Sequence, residues 1–151
     1  MLQRKQSLFL LLSLICALVC LCLPIGTIAP RTSMGTDLIV NNLGLKGASF
    51  SSYMGWPLYA VLVLNCALCV ITIFLYKNRT LQMKFCSIQI VLYGIWYVYY
   101  IYSVLETFPV LGIFKMNWSV SLPLVSIILC AMAHKGIKND EELVRSADRI
   151  R

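Results

Sequence analysis

Residues 56–76 read WPLYAVLVLNCALCVITIFLY, a run without a single Asp, Glu, Lys or Arg. The hydrocarbon core of a bilayer is roughly 30 Å thick, and a helix crosses it with about 20 residues at ~1.5 Å each. The run has that length, and in lipid a helix satisfies its own backbone hydrogen bonds whereas an open strand does not. Residues 56–76 therefore predict a transmembrane helix.

Three further stretches share this character, at about residues 7–29, 85–105 and 116–134. None of them carries an acidic residue, a lysine or an arginine. Over the whole chain 60% of the residues are hydrophobic and 13% are charged, which is typical of membrane proteins rather than soluble domains. We therefore expect a single domain of 151 residues, an all-α membrane protein folded as a bundle of four transmembrane helices.

The basic residues are distributed unevenly about these predicted spans. Ten of the 13 lysines and arginines precede the first span, lie between the second and third, or follow the fourth, and the opposite side holds Arg31, Lys46 and Lys115. Positive residues near the membrane favour the cytoplasm, so both termini are predicted to be cytoplasmic. This topology accounts for the net charge of +7 without a nucleic-acid partner. The first stretch has the charge order of a signal peptide, but its long apolar run favours a retained span.

Two loops complete the predicted extracytoplasmic side. Residues 30–55 form the longer one, in which the short β-like run at 38–40 followed by Asn41 and Asn42 allows a small hairpin. A loop of this size is too short for an independent domain. We expect it to cap the bundle, with contact to a partner as the alternative.

The predicted cytoplasmic tail, residues 135–151, carries the strongest local signal outside the spans. Asn139 with Glu142 three residues later resembles a capping box, and acidic residues at the start of a helix favour its formation. We expect a short helix that docks either on its own bundle or, through residues 139–151, on a membrane or cytoplasmic protein. The candidate contact residues are Glu142, Leu143, Val144, Arg145, Ala147, Asp148, Arg149 and Ile150.

Polar and aromatic side chains form a second candidate site inside the predicted membrane region. In the third span they recur at steps of three or four residues, which places them on one helix face. The stripe is interpreted as an interhelical packing seam, with a ligand cleft as the alternative. The seam residues are Asn65, Gln89, Tyr93, Tyr97 and Tyr100.

Motifs for known chemistry are missing from the sequence. There is no H-E-x-x-H, G-x-S-x-G or P-loop pattern, and no span carries an acid or base suited to proton transfer. All seven cysteines fall inside the predicted spans, where they are expected to serve as packing residues. We expect no enzyme activity, cofactor or metal. A lipid-binding role would require a pocket at headgroup depth that combines Glu106 or His134 with groups the linear sequence does not bring together.

The two ends of the chain resemble a four-span integral membrane family of Bacteroidota known only as a domain of unknown function. The resemblance rests on Gln3, Arg4 and Gln6, which open directly into the first span, and on residues 140–151, which end in ELVRSADRIR. It implies a location in the inner membrane of a Gram-negative cell. It implies no activity, cofactor or catalytic residue.

Our leading hypothesis from the sequence is a non-enzymatic accessory or scaffolding subunit that acts through protein contacts. Two observations motivate this hypothesis: the sequence has no motif for known chemistry, and its tail is predicted to form a helix. The alternative is a small-solute transporter or a component of an oligomeric channel, because Asn65, Gln89 and the tyrosine face could line a path between helices.

Overall fold

In a computed structural model the protein is mostly helical, and residues 3–29, 37–47, 51–52, 55–75 and 78–148 are described. These residues form five α-helices, five short strands, a π-helical turn, Ser103–Thr107, and a 3-10 turn, Trp118–Ser121. The helices are α1 (Gln3–Cys22), α2 (Trp56–Phe74), α3 (Arg79–Tyr102), α4 (Phe108–Leu111) and α5 (Leu122–Asp148). The strands are β1 (Gly26–Ala29), β2 (Leu38–Val40), β3 (Leu45–Lys46), β4 (Ser51–Ser52) and β5 (Ile113–Met116).

The four long helices pack as a closed ring. Helix α1 contacts α2 and α5, and α3 contacts the same two helices. Each helix turns one stripe inward at steps of three and four residues, because that spacing keeps side chains on one face. On α2 the buried stripe is Leu58, Leu62, Asn65, Cys69 and Thr72. On α3 it is Gln82, Cys86, Gln89, Tyr93, Trp96 and Tyr100.

Three of the described helical segments are long and apolar enough to cross a membrane: Trp56–Phe74, Arg79–Thr107 and Trp118–Leu143. The apolar part of α1, Ser7–Cys22, is shorter. We expected a helix over residues 7–29, but the helix ends at Cys22 and residues 26–29 form a strand. Pro24 explains the end, because its ring and missing N–H do not fit the interior of a helix.

The expectation of an all-α fold is confirmed only in part: the protein is mostly helical, but a small antiparallel sheet covers one end of the bundle. Its strand order is β4-β3-β2-β1-β5. Strands β2 and β3 form a hairpin around residues 41–44, where Asn41 and Gly44 exchange backbone hydrogen bonds of 2.9 and 3.2 Å. Strand β5 comes from the other connection at this end and pairs with β1. The pairing satisfies backbone groups that would otherwise lie unpaired over an apolar bundle.

Strand β5 and helix α5 also change two predicted boundaries. Residue 116, where the fourth predicted span begins, is the last residue of β5, and α5 starts at Leu122. At its other end α5 runs without a break to Asp148, so the tail is not a separate helix. The capping signal at Asn139 is overridden because buried Ile137 packs with Leu10, Cys69, Cys86 and Ala133, which keeps the chain helical along the bundle.

Candidate functional site

A chain of hydrogen bonds joins all four long helices in the middle of the bundle. The amide Nε2 of Gln89 donates to Oγ1 of Thr72 over 2.8 Å, and the Cys130 thiol donates to Oε1 of Gln89 over 3.4 Å. Cys130 Sγ lies 3.3 Å from Ser13 Oγ, and because the thiol hydrogen is given to Gln89, the Ser13 hydroxyl is the donor in this contact. We call these four residues, one from each helix of the ring, the polar belt.

Further bonds strengthen the contact of α1 with its two neighbours. The hydroxyls of Ser13 and Ser126 each lie within reach of the other's carbonyl oxygen, at 3.5 and 3.4 Å. Each hydroxyl shares its one hydrogen between that carbonyl and a nearer acceptor, Cys130 Sγ for Ser13 and the carbonyl of Leu122 for Ser126. On the other side, the Cys69 thiol donates to the carbonyl of Leu10 over 3.2 Å. Because polar groups in a lipid environment need internal partners, the belt favours one arrangement of the four helices.

A second polar layer lies nearer the sheet and is bonded differently. Helices α2 and α3 are antiparallel, so Asn65, two turns from Thr72, lies at the depth of Trp96, two turns from Gln89. Asn65 is fully buried, and neither its Nδ2 nor its Oδ1 has a hydrogen-bond partner within the described ranges. The same holds for Trp96 Nε1 and Tyr100 Oη, although the two rings stack with centroids 5.4 Å apart.

The predicted seam residues all lie on the helices around these two layers. Asn65, Gln89, Tyr93 and Tyr100 are at most 5% exposed. Tyr97 is partly exposed, and its hydroxyl donates to the carbonyl of Val120 over 2.7 Å. None of the five lines either of the two cavities described below. They are packed against neighbouring helices, and a role for them in binding stays a prediction.

The first cavity lies under the sheet and measures about 140 Å³. We call it the cap cavity. Its polar lining includes Asn41, Tyr99, Tyr102, Ser103 and Thr107. Two of these belong to the π-helical turn, a distortion frequently found at functional sites. The lining comes from the hairpin and from α3, whose proximity depends on tertiary packing, and the sequence analysis did not predict it.

Gly55 and Asn42 hold the hairpin over this cavity. A Cβ on Gly55 would lie 2.8 Å from the carbonyl oxygen of Asn42 and 3.0 Å from the amide nitrogen of Gly44, so only glycine allows the backbones to approach this closely. The Asn42 amide donates to the carbonyl of Cys20 over 2.7 Å and ties the turn to the end of α1.

The second cavity is an open groove of about 470 Å³ between α3 and α5, at the end of the bundle away from the sheet. We call it the basic groove. Its inner part joins Lys84 on α3 to His134 and Lys138 on α5, and Glu141 and Glu142 line its outer part, so that two lysines and two carboxylates share the groove. Thr80 and Ser87 are also in the lining. Sequence reasoning placed His134 near a membrane edge but did not predict these neighbours, because they come from separate helices. Glu106, the other candidate, lies in the π-helical turn at the sheet end.

The predicted tail contacts lie at the end of α5. Glu142 is exposed and its carboxylate lies 4.0 Å from the ammonium of Lys138, and Leu143 is 61% exposed. Arg149 and Ile150 lie outside the described residues. The backbone of the remaining candidates is helical: Val144, Arg145, Ala147 and Asp148.

Four packed helices enclose a polar network, and three of them are long and apolar enough to cross a membrane, which are features typical of helical membrane proteins. Residues 2–150 match the family described as "Domain of unknown function (DUF4293)", and the chain belongs to that family. The resemblance of its ends to a family of unknown function is thereby confirmed. No curated protein matches the chain.

Proposed function

We propose that the protein crosses the inner membrane of a Gram-negative bacterium four times, with both termini in the cytoplasm. The positions of the basic residues support this orientation. Lys46 and Lys115 lie in the sheet, whereas Arg79, Lys84 and Lys138 lie at the opposite end of the bundle. The short apolar part of α1 is compatible with a span, because long basic side chains can extend from its start to the membrane surface.

Within that membrane we propose a non-enzymatic accessory or scaffolding subunit that acts through protein contacts. The observation that supports this proposal is that α5 continues as one helix from the bundle into the tail. The helix packs in the bundle as far as Ile137 and then continues to Asp148, exposing Glu142 and Leu143 on a segment braced by the ring. A helix held in this way presents its surface to a partner without the ordering cost of an isolated peptide.

Affinity purification from native membranes tests the scaffold role. The intact chain is compared with a chain ending at residue 138 and with Leu143→Asp, and Ser146→Ala serves as a matched exposed control on the same helix. We expect a stoichiometric partner with the intact chain and the control, and its loss with the other two. Failure of the intact chain to recover any stoichiometric partner would overturn the proposal.

A second candidate, transport of a small solute, is favoured by the cap cavity alone. Its hydroxyl groups, and the absence of a charged side chain among those lining residues that the structure describes, suit a small uncharged molecule. Deeper in the bundle, however, the belt residues bond to one another. Proteoliposomes that take up no neutral solute faster than empty vesicles would exclude this function.

A further inference from the structure

The basic groove lies at the depth where the headgroups of a bilayer begin. The bond between Gln89 and Cys130 sets the register of the antiparallel helices α3 and α5, and it brings Lys84 and His134 to similar depths. Lys84 is about 14 Å along the helix axis from the middle of the apolar segment Arg79–Thr107. The hydrocarbon half-thickness is about 15 Å, so the Lys84 ammonium reaches the layer of lipid phosphates.

The groups in the groove are ordered by depth. Lys84 and His134 lie deepest, Lys138 one turn of α5 farther out, and the carboxylates of Glu141 and Glu142 farther still. A phosphodiester beside the three basic residues would be held by charge-assisted hydrogen bonds, with the Thr80 and Ser87 hydroxyls nearby. The Glu142 carboxylate, which lies 4.0 Å from the Lys138 ammonium, is at a level that suits the ammonium of an ethanolamine headgroup, since this group points away from the acyl chains.

A notch at Gly94 lies on α3 beyond the residues that line the groove, toward the middle of the membrane. Ser87 and Gly94 are seven residues apart, so they lie on the same face of α3. A Cβ placed on Gly94 would meet no atom within 4 Å, whereas Val91 and Val98 beside it are 61% and 71% exposed. Val91 and Val98 lie about one turn before and after Gly94 on the same face, so the glycine leaves a notch between two protruding apolar side chains, against which part of an acyl chain can pack.

We propose that the basic groove and the Gly94 notch together bind one ethanolamine glycerophospholipid, with its phosphate on Lys84, His134 and Lys138 and one acyl chain against Gly94. The groove provides the charged groups toward the membrane surface, and the notch provides apolar contact nearer the middle of the membrane. Only a molecule that carries both a charged headgroup and an acyl chain can fill the groove and contact the notch together. The site shares Glu142 with the exposed end of α5, whereas Lys84 and Gly94 lie on α3, apart from that surface.

Native mass spectrometry of the full-length protein in detergent tests the site. The delipidated protein is titrated with dioleoyl phosphatidylethanolamine, dioleoyl phosphatidylglycerol or inorganic phosphate. The double variant Lys84→Gln/Lys138→Gln should bind phosphatidylethanolamine about tenfold more weakly, because each lost charge-assisted contact contributes on the order of a few-fold to tenfold in affinity. The matched control is Lys46→Gln/Lys115→Gln, which removes two exposed lysines from the sheet end and should bind as the unaltered chain does.

Two further measurements distinguish the contribution of the headgroup to binding from that of the acyl chain. Gly94→Leu should weaken phosphatidylethanolamine binding several-fold, and Gly94→Ala should have a smaller effect, with gel filtration and melting temperature showing that both remain folded. Phosphatidylglycerol should bind more weakly than phosphatidylethanolamine, because it lacks an ammonium. The proposal is overturned if the two lysine pairs have equal effects, if Gly94→Leu binds normally, or if inorganic phosphate displaces the lipid, which would indicate a site for a free phosphate compound.

Discussion

Replacing Gln89 with methionine removes two hydrogen bonds from the polar belt while keeping a side chain of similar length. The bond to Thr72 is short at 2.8 Å, whereas the thiol of Cys130 is a weak donor at 3.4 Å. Interhelical hydrogen bonds in membranes average about 0.6 kcal/mol and reach about 1.7 kcal/mol. Thr72 keeps its 2.6 Å bond to the carbonyl of Leu68, so it is not left unpaired. We expect Gln89→Met to lower the free energy of unfolding by about 1 kcal/mol.

Asn65 provides the matched comparison, because it is as deeply buried as Gln89 but its amide atoms lack partners among the described residues. An unpaired buried amide costs free energy, so an apolar side chain of similar shape is nearly neutral or stabilising. Asn65→Leu should therefore leave the free energy of unfolding unchanged or raise it by up to about 1 kcal/mol. The two buried amides are thus expected to respond in opposite directions to the same kind of change.

Reversible unfolding in mixed micelles, followed by helical circular dichroism against the mole fraction of denaturing detergent, measures both effects. A double-mutant cycle of Gln89→Met with Thr72→Val should give a coupling free energy of about 0.6 kcal/mol. Zero coupling would show that the 2.8 Å contact does not stabilise the bundle. If Asn65→Leu costs as much as Gln89→Met, the distinction between a bonded and an unpaired layer is refuted.

Other substitutions test the ends of the bundle and its orientation. Gly55→Val should clash with the hairpin backbone and lower stability by about 1–3 kcal/mol, seen as a lower melting temperature in detergent and faster proteolysis of the loop. Ile137→Ala should lower the free energy of unfolding by about 2 kcal/mol or more, because Ile137 is fully buried. Leu143→Ala, on the exposed end of α5, should change it by no more than about 0.5 kcal/mol. Equal effects of the two substitutions would contradict the packing of α5. In otherwise cysteine-free chains, a membrane-impermeant maleimide should label exposed Cys22 on spheroplasts, but label Ser146→Cys only after lysis. The reverse pattern would invert the proposed topology.

The candidate sites divide into parts that local spacing predicts and parts that it does not. Steps of three and four residues suffice to place Gln89, Tyr93 and Tyr100 on one face of α3. Spacing within one helix does not predict that Thr72 and Cys130 lie opposite Gln89, and it does not predict that His134 lies beside Lys84. Those pairs depend on the register between helices, which side-chain packing decides.

The amino-acid sequence by itself determined where the apolar helices lie, because the cost of placing a charge or an unpaired peptide group in lipid acts on each segment locally. The uneven distribution of basic residues in the sequence also determined the predicted orientation of these helices. Only the tertiary structure decided that β1 and β5 pair across the two connections at one end, since neither short strand is stable without a partner. It likewise decided that α5 continues past Asn139, because burial of Ile137 against three other helices outweighs a local capping signal.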